Sequence, residues 1–428
     1  MIKKVVPPES LSGEINVPPD KSISHRSALF AAISDSVSTI NNYSKAADPQ
    51  STLSCLMQLG VPIRKSGQQV IVTGVGRTGL NDPKTPLDCG NSGTTMRLLS
   101  GIVAGAGVSC SLTGDESLSS RTMKRIIDPL RKMGCNIEGR EDNYAPLVIS
   151  PHNGVRGMRY PLPIASAQLK SAVLLTGLFG EKPTEVIESE LSRDHTERLL
   201  DLPSEPYGNG KIIRSSFNHT IPAQNYSVPG DFSAAAFWLA AGAIHSESKL
   251  SLKRVGMNPS RSALYHLLKE MGAQITQSDN KMEGKEPVAD LQVTSSELTS
   301  ISVDPALIPN CIDELPILMV AMCFANGKSV ISGAEELRHK ETDRLAAMAD
   351  VLTAAGAAIE LKPDGIVIEG NSDFTPKASR FQTHHDHRMA MAAAILSSKC
   401  KGTSEIVDAE CTAISYPEFW AHLQEVSQ

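Results

Sequence analysis

The sequence predicts a mixed α/β fold of the α+β kind, arranged as two similar domains of three helix-and-strand units each. Three observations lead there. A block of amphipathic helix, glycine, strand, turn and strand recurs along the chain; helical and extended patterns alternate throughout; and the apolar content suits packed cores. At 428 residues, 41% hydrophobic and 21% charged, the chain exceeds what one ordinary core holds and lacks the apolar depletion of disordered chains.

The recurring block is first seen in STLSCLMQLGVPIRKSGQQVIVTG. It returns in IIDPLRKMGCNIEGREDNYAPLVIS, in SALYHLLKEMGAQITQSDNKMEGKEPVADLQVTS and in LAAMADVLTAAGAAIELKPDGIVIEG. Each helix ends in a glycine placed as a C-cap: Gly60, Gly134, Gly272 and Gly356. The spacing fits a period of about 70 to 80 residues with one gap about twice that. RLLDLPSEPYGNGKII falls in the gap and reads as a degenerate copy with Pro in place of the cap, and the final PEFWAHLQEVSQ as a sixth, truncated helix. A solenoid is disfavoured, because the period is long and the copies differ strongly outside the shared block.

A formal net charge of -6 argues against general nucleic-acid binding, so any anion site has to be local. The start, MIKKVVPPESLSGEINVPPDK, meets Pro and Glu before any signal-like apolar run, and no stretch approaches the roughly 20 apolar residues of a membrane span; the cytoplasm is the expected location. The eight cysteines form no CxxC pair and read as small core residues.

Six segments could carry chemistry. PPDKSISHRSALFAA starts a helix with Lys21, Ser22 and Arg26 in its first turns, a good setting for phosphate or carboxylate, although a capped helix with a solvated basic face has the same pattern. LDCGNSGTTMRLLSG is a small-residue turn feeding a helix whose one charge is Arg97, and its glycines allow close approach of a ligand to the backbone. GDESLSSRTMKRIIDPLRKMG places Arg121 in a Ser-rich lead-in ahead of a basic helix. PIASAQLKSAVLLTG offers Ser166 and Gln168 before an apolar helix, and ESELSRDHTERLL offers Arg193 in a capping sequence that would equally make a helix-start salt bridge. IPNCIDELPILMVAMCF and GAEELRHKETDRLAAMA contribute Asp313, Lys340, Glu341 and Arg344; alone, KETDR would be a surface salt-bridge ladder. HHDHRMAMAAAIL places Arg388 at a helix start, and its histidines lack a further ligand at metal spacing, so no metal is expected. Taken together, the segments put a cation or donor at several helix starts in both halves, which favours a shared anionic cleft between domains.

PPDKSISHR, GNSGTTMRLLSG, SRTM, SAQLKSAVLL, LSRDHTER, IDELPILMVAM, ELRHKETDRL and DHRMAMA follow one another in this order, and with them the chain resembles the 5-enolpyruvylshikimate-3-phosphate synthases essentially end to end. The resemblance implies an inside-out barrel in which each domain has three repeats of parallel helices and four-stranded sheets. It also implies a two-strand hinge and domains of residues 1–17 plus 230–428 and 18–229. The reaction implied is transfer of the enolpyruvyl group of phosphoenolpyruvate to the 5-hydroxyl of shikimate 3-phosphate, with release of phosphate, by addition and elimination through a tetrahedral intermediate. By motif, Lys21, Ser22, Arg26, Ser166, Gln168, Arg193, Asp313 and Lys340 would bind shikimate 3-phosphate, and Lys21, Gly93, Arg121, Gln168, Arg344 and Arg388 would bind phosphoenolpyruvate. Asp313, Glu341 and Lys21 would be catalytic, with Asp313 taking the hydroxyl proton and Glu341 protonating the methylene carbon. No cofactor is implied, and a monomer acting without nucleic acid or membrane is expected.

Two features set the chain apart within that family. Ile414 stands after CTA where many bacterial members have Lys, and with SAQ and SRDHTER this resembles the divergent class II branch. Gly93 leaves room that an alanine would fill, which implies inhibition by glyphosate. The rivals are an enolpyruvyl transferase acting on UDP-N-acetylglucosamine, whose loop cysteine is missing from GDESLSSRTM, and a non-catalytic or RNA-handling protein of the same fold, against which the acidic charge and the Asp313 and Glu341 carboxylates argue.

Overall fold

The computed structural model describes residues 1–428. The chain forms two compact units, Met1–Pro18 with Pro229–Gln428, and Pro19–Val228.

The Pro19–Val228 unit repeats one plan three times: strand, helix, parallel strand, second helix, then a hairpin whose last strand pairs antiparallel with the second strand. In the middle repeat these are Leu87–Asp88, the helix Gly93–Ala106, Cys110–Thr113, the helix Lys124–Lys132, and the hairpin Asn136–Arg140 with Tyr144–Ser150. Arg159–Pro161, Ala167–Gly177, Thr184–Glu188, His195–Leu200, Ser204–Tyr207 and Gly210–Ser215 repeat the order. The first repeat lacks a leading strand of its own. Its Val37–Asn41 strand pairs instead with Asn225–Ser227, from the far end of the unit, so the last strand formed completes the first sheet.

The two helices of a repeat differ in composition and therefore in place. Lys21–Ala32, Gly93–Ala106 and Ala167–Gly177 bury nearly every residue, as helices with apolar or small residues on all faces must. Gly101 permits the closest crossing, since a Cβ there would lie 2.5 Å from the Ala172 carbonyl oxygen. Lys124–Lys132 is two-faced instead, burying Ile126, Ile127 and Leu130 while Lys124 and Arg131 form ion pairs with Asp142 on the surface.

The Met1–Pro18/Pro229–Gln428 unit follows the same plan with its own long-range closure. Ser12–Ile15 lies parallel to Lys249–Gly256, completing a sheet with the hairpin Gln274–Glu283 and Glu286–Thr294. Leu298–Thr299, Ala325–Ile331, Ala358–Lys362 and Gly365–Gly370 make the second sheet. The third has three strands: Arg380–Phe381, Ser404–Val407 and, antiparallel to the latter, Ile2–Val5. All residues of the helices Phe232–Ile244, Leu315–Cys323 and His387–Ser397 are buried, and the three pack against one another. Trp238, fully buried, donates its Nε1 hydrogen to the Tyr416 hydroxyl at 2.9 Å; its replacement by alanine would cost about 3–5 kcal/mol.

Gly60, Gly134, Gly272 and Gly356 all take positive φ just past the second helix of their repeats, where a side chain would be strained. The degenerate copy keeps the geometry with another residue. Asp201, not a proline, occupies the left-handed position at φ 51° after His195–Leu200, because an Asp tolerates that region better than most residues. All eight cysteines are buried. No helix is long and apolar enough to cross a membrane alone.

Candidate active site

In the Pro19–Val228 unit the starts of the three buried helices converge, and side-chain bonds run between them. Asp20 caps the first helix by accepting from the Ile23 amide at 2.8 Å. Lys21 Nζ lies 3.0 Å from Asp48 Oδ2, and Arg26, 3% exposed, donates to Thr196 Oγ1 at 2.8 Å, Ser171 Oγ at 3.1 Å and the Ser22 carbonyl at 3.1 Å. Ser92 caps the second helix, and two turns' worth of donors follow: Arg97 Nη1 reaches Gln168 Oε1 at 2.8 Å, and Gln168 Nε2 reaches Thr94 Oγ1 at 2.9 Å. Ser166 caps the third by accepting from the Leu169 amide. Three positive helix ends with their attendant cations make a strongly anion-attracting surface.

Gly93 opens the second helix, and a Cβ there would lie 2.8 Å from Arg97 Nη1 and 3.4 Å from Arg121 Nη1. Both guanidiniums therefore crowd this one glycine. Arg121 donates to Asn91 Oδ1 at 2.8 Å and to Ser117 Oγ at 3.1 Å. Its lead-in forms a short helix of its own: Asp115 caps Glu116–Ser120, and Arg121 follows it in extended conformation. Arg193 lies partly buried ahead of His195–Leu200, and Arg198 pairs with Asp194 at 2.6 Å. His25, fully buried, has its Nδ1 2.7 Å from Thr52 Oγ1, and burial, then the charges of Lys21 and Arg26, hold its pKa well below the usual histidine range.

In the other unit the corresponding helix starts carry carboxylates. Arg344, 1% exposed, is the hub: its Nε and Nη2 bond to Asp386 at 2.7 and 3.3 Å, Nη2 to Glu341 at 2.5 Å, and Nη1 to Asp313 at 3.2 Å. Burial opposes its charge, but the three carboxylates outweigh burial and raise its pKa. Asp386 also caps His387–Ser397 by accepting from the Arg388 amide at 2.8 Å, which brings Arg344 and Arg388 onto one carboxylate. Arg388 is 4% exposed and its Nε has no hydrogen-bond partner. Lys340 and Glu341 precede the Arg344–Ala354 helix, so KETDR is a bent helix start and not a ladder along one face. Lys340 Nζ lies 4.0 Å from Glu336, and burial lowers its pKa although Asp313 and Glu336 pull the other way. His384 and His385 are exposed while His387 is buried. Ile414 packs against the unit's apolar core.

The candidates thus fall into two groups. Lys21, Ser22, Arg26, Gly93, Arg121, Ser166, Gln168 and Arg193 belong to one unit; Asp313, Lys340, Glu341, Arg344 and Arg388 belong to the other. Sequence reasoning passed over the side chains that hold them. Asp48, Thr196 and Ser171 are ordinary polar residues in ordinary helices, and only the fold shows them touching Lys21 and Arg26. Asp386 was legible as a cap but not as the partner of Arg344, which is 42 residues away. Lys170 gave a usable signal, a lone charge inside the apolar run AQLKSAVLLTG.

A family model described as EPSP synthase (3-phosphoshikimate 1-carboxyvinyltransferase) matches residues 5–423. A 3-phosphoshikimate 1-carboxyvinyltransferase of Salinibacter ruber is 48% identical over 430 residues, covering all of both chains, and one of Herpetosiphon aurantiacus is 45% identical over 98% of this chain and 97% of its own. The solved EPSP synthase of Acinetobacter baumannii superimposes with a TM-score of 0.88 at 37% identity, covering 100% of this chain and 98% of that one. The enolpyruvyl transferase NikO of Streptomyces tendae, 14% identical with a TM-score of 0.76 over 99% of this chain and 97% of its own, shares the fold. With its helix-start groups arranged as described and relatives matching along its whole length, the chain belongs to the EPSP synthase family.

Proposed function

We propose that the helix-start groups of the two units carry out the family's reaction, moving the enolpyruvyl group of phosphoenolpyruvate to the 5-hydroxyl of shikimate 3-phosphate and releasing phosphate. Lys21, Ser22, Arg26, Ser166, Gln168, Arg193, Asp313 and Lys340 bind shikimate 3-phosphate. Lys21, Gly93, Arg121, Gln168, Arg344 and Arg388 bind phosphoenolpyruvate.

In the addition step the 5-hydroxyl oxygen bonds to C2 of phosphoenolpyruvate, its proton passes to Asp313, and the C3 methylene takes a proton from Glu341. The product is a tetrahedral intermediate that still carries its phosphate. In the elimination step the C2–O bond to phosphate breaks, C3 returns its proton to Glu341, the double bond reforms, and phosphate leaves with the proton that Asp313 took. Lys21 neutralises charge on both substrates, and the arginines offset the repulsion between the two anions.

The observation that carries this reading is Arg344 held between Glu341 at 2.5 Å and Asp313 at 3.2 Å. Addition across a vinyl group needs a proton acceptor and a proton donor close together with a fixed cation, and these three residues supply that set. Glu341 acts as an acid only when protonated, and bringing an anion beside it favours that state. A net charge of -6 argues against general nucleic-acid binding, and the proposed reaction is that of a monomer in the cytoplasm using no cofactor.

The test is phosphate release from purified protein given phosphoenolpyruvate and either shikimate 3-phosphate or UDP-N-acetylglucosamine, without added metal. Release only with shikimate 3-phosphate is the expected result. Release with the nucleotide sugar, or with neither, would refute the assignment of substrate.

A further inference from the structure

Lys170 lies in the first turn of the buried Ala167–Gly177 helix with 0% exposure. Its Nζ lies within hydrogen-bond reach of four oxygens, both of the Glu188 carboxylate at 3.0 Å, Glu197 Oε1 at 2.8 Å and the Ser192 carbonyl at 3.4 Å, which its three hydrogens share. Lys211 Nζ lies 2.9 Å from the same Glu197 oxygen, so two cations balance two carboxylates. Such a cluster adds little to stability, because the loss of hydration offsets the attraction and well-packed apolar side chains would do as well. Its presence calls for a geometric reason.

The contacts supply one, since the cluster grips the supports of two arginines. Glu188 Oε1 accepts from the Ser192 amide at 2.8 Å and also from the Ser192 hydroxyl, which clamps the residue directly before Arg193. Next to Lys170 and Glu197 in sequence stand Ser171 and Thr196, whose hydroxyls are 2.7 Å apart and receive Arg26 at 3.1 and 2.8 Å. Moving Lys170 would loosen the helix His195–Leu200 from the helix Ala167–Gly177, and both guanidiniums with it.

We propose that Lys170 is a positioning residue for shikimate 3-phosphate: with Glu188 and Glu197 it fixes Ser192 and the Ser171–Thr196 hydroxyl pair, and through them it orients Arg193 and Arg26 toward that substrate's anionic groups. The inference rests on the assignment of those two arginines to shikimate 3-phosphate. Lys170 touches no substrate.

The experiment is a double-mutant cycle on the full chain with Lys170→Met, Arg193→Ala and the pair, using initial rates of phosphate release with each substrate varied in turn. Lys170→Met should raise KM for shikimate 3-phosphate by about 10-fold or more while KM for phosphoenolpyruvate stays within about 3-fold, and that effect should shrink in the Arg193→Ala background, the part carried through Arg26 remaining. Additive effects, or a lowered Tm with both KM values unchanged, would overturn the proposal. If Lys170→Met does not fold, Thr196→Val removes one acceptor of Arg26 and leaves all four charges in place; it should raise the same KM, and an unchanged KM is contrary evidence that sinks the idea. Should Arg193→Ala and Arg26→Ala both leave that KM unchanged, the underlying assignment of the arginines is what fails, and the proposal falls with it.

Discussion

His245 provides a test of the burial argument in one unit alone. It ends the Phe232–Ile244 helix, is 2% exposed, and has Nε2 2.8 Å from Ser398 Oγ. Burial, aided by the Lys399 charge, pushes its pKa down to about 3. An unfolded histidine titrates near 6.5, so in acid the unfolded chain takes up the proton first, and the folded state loses stability as pH falls below about 6.5. The loss is about 1.4 kcal/mol per pH unit, hence about 2 kcal/mol between pH 7.5 and pH 5. For a unit of about 200 residues that corresponds to about 4–8 °C in Tm. The perturbation is His245→Gln, which keeps a partner for Ser398 and removes the titration. Calorimetry at both pH values should show the wild-type advantage over the variant shrinking by that amount on acidification. All other titrating groups are common to both proteins and cancel. An advantage that stays constant between pH 7.5 and pH 5 would refute the reasoning.

Other perturbations reach the site itself. Glu341→Gln removes the proton donor and should lower kcat by roughly 10²- to 10⁴-fold, as read by phosphate release, whereas a near-normal rate would leave Glu341 a structural partner of Arg344. Glyphosate should slow initial rates at low phosphoenolpyruvate, and Gly93→Ala, whose Cβ would crowd Arg97 Nη1 at 2.8 Å, should weaken this inhibition and raise KM for phosphoenolpyruvate. The clash falls on the end of the flexible Arg97 side chain, so it acts by displacing that guanidinium and not as a core packing cost, and unchanged inhibition would count against crowding. Arg344→Met leaves Asp386, Glu341 and Asp313 without their shared cation and should destabilise its unit by about 3–5 kcal/mol in urea unfolding; a loss below about 1 kcal/mol would mean the cluster is hydrated and relaxed.

Much of this was legible before any coordinates, for physical reasons that can be named. Glycine at a helix end followed by two strands is a local pattern, and Gly60, Gly134, Gly272 and Gly356 mark four repeats by chemistry that acts within a few residues. Helix starts are equally local: Asp20, Ser92, Ser166 and Asp386 all accept from amides two or three residues ahead. Long-range closure is not local. Nothing in NYSV says that Asn225–Ser227 pairs with Val37–Asn41, or in SGEI that Ser12–Ile15 pairs with Lys249–Gly256. The same holds for the supports of the site, since Thr196 beneath Arg26 is separated from it by 170 residues.

The two units also show how one repeat plan can be given opposite chemistry. At the starts of its buried helices the Pro19–Val228 unit presents Lys21, Arg26 and Arg97, with hydroxyl and amide groups between them. At equivalent places the other unit presents Asp231, paired with Arg261, and Asp313 and Asp386, both paired with Arg344. A positive helix end favours either arrangement: it adds to the pull of cations on an anion, and it stabilises a carboxylate placed there. The first arrangement suits holding anions, and the second places beside one cation the Asp313 and Glu341 carboxylates proposed above as proton acceptor and donor. Anion binding and proton transfer therefore need no different fold, only a different choice of residues in the first turn of the same helix. On this reasoning substitution of Ser22, Arg26 or Gln168 in the Pro19–Val228 unit should act mainly on KM, and substitution of the carboxylates Asp313 or Glu341 in the other unit mainly on kcat.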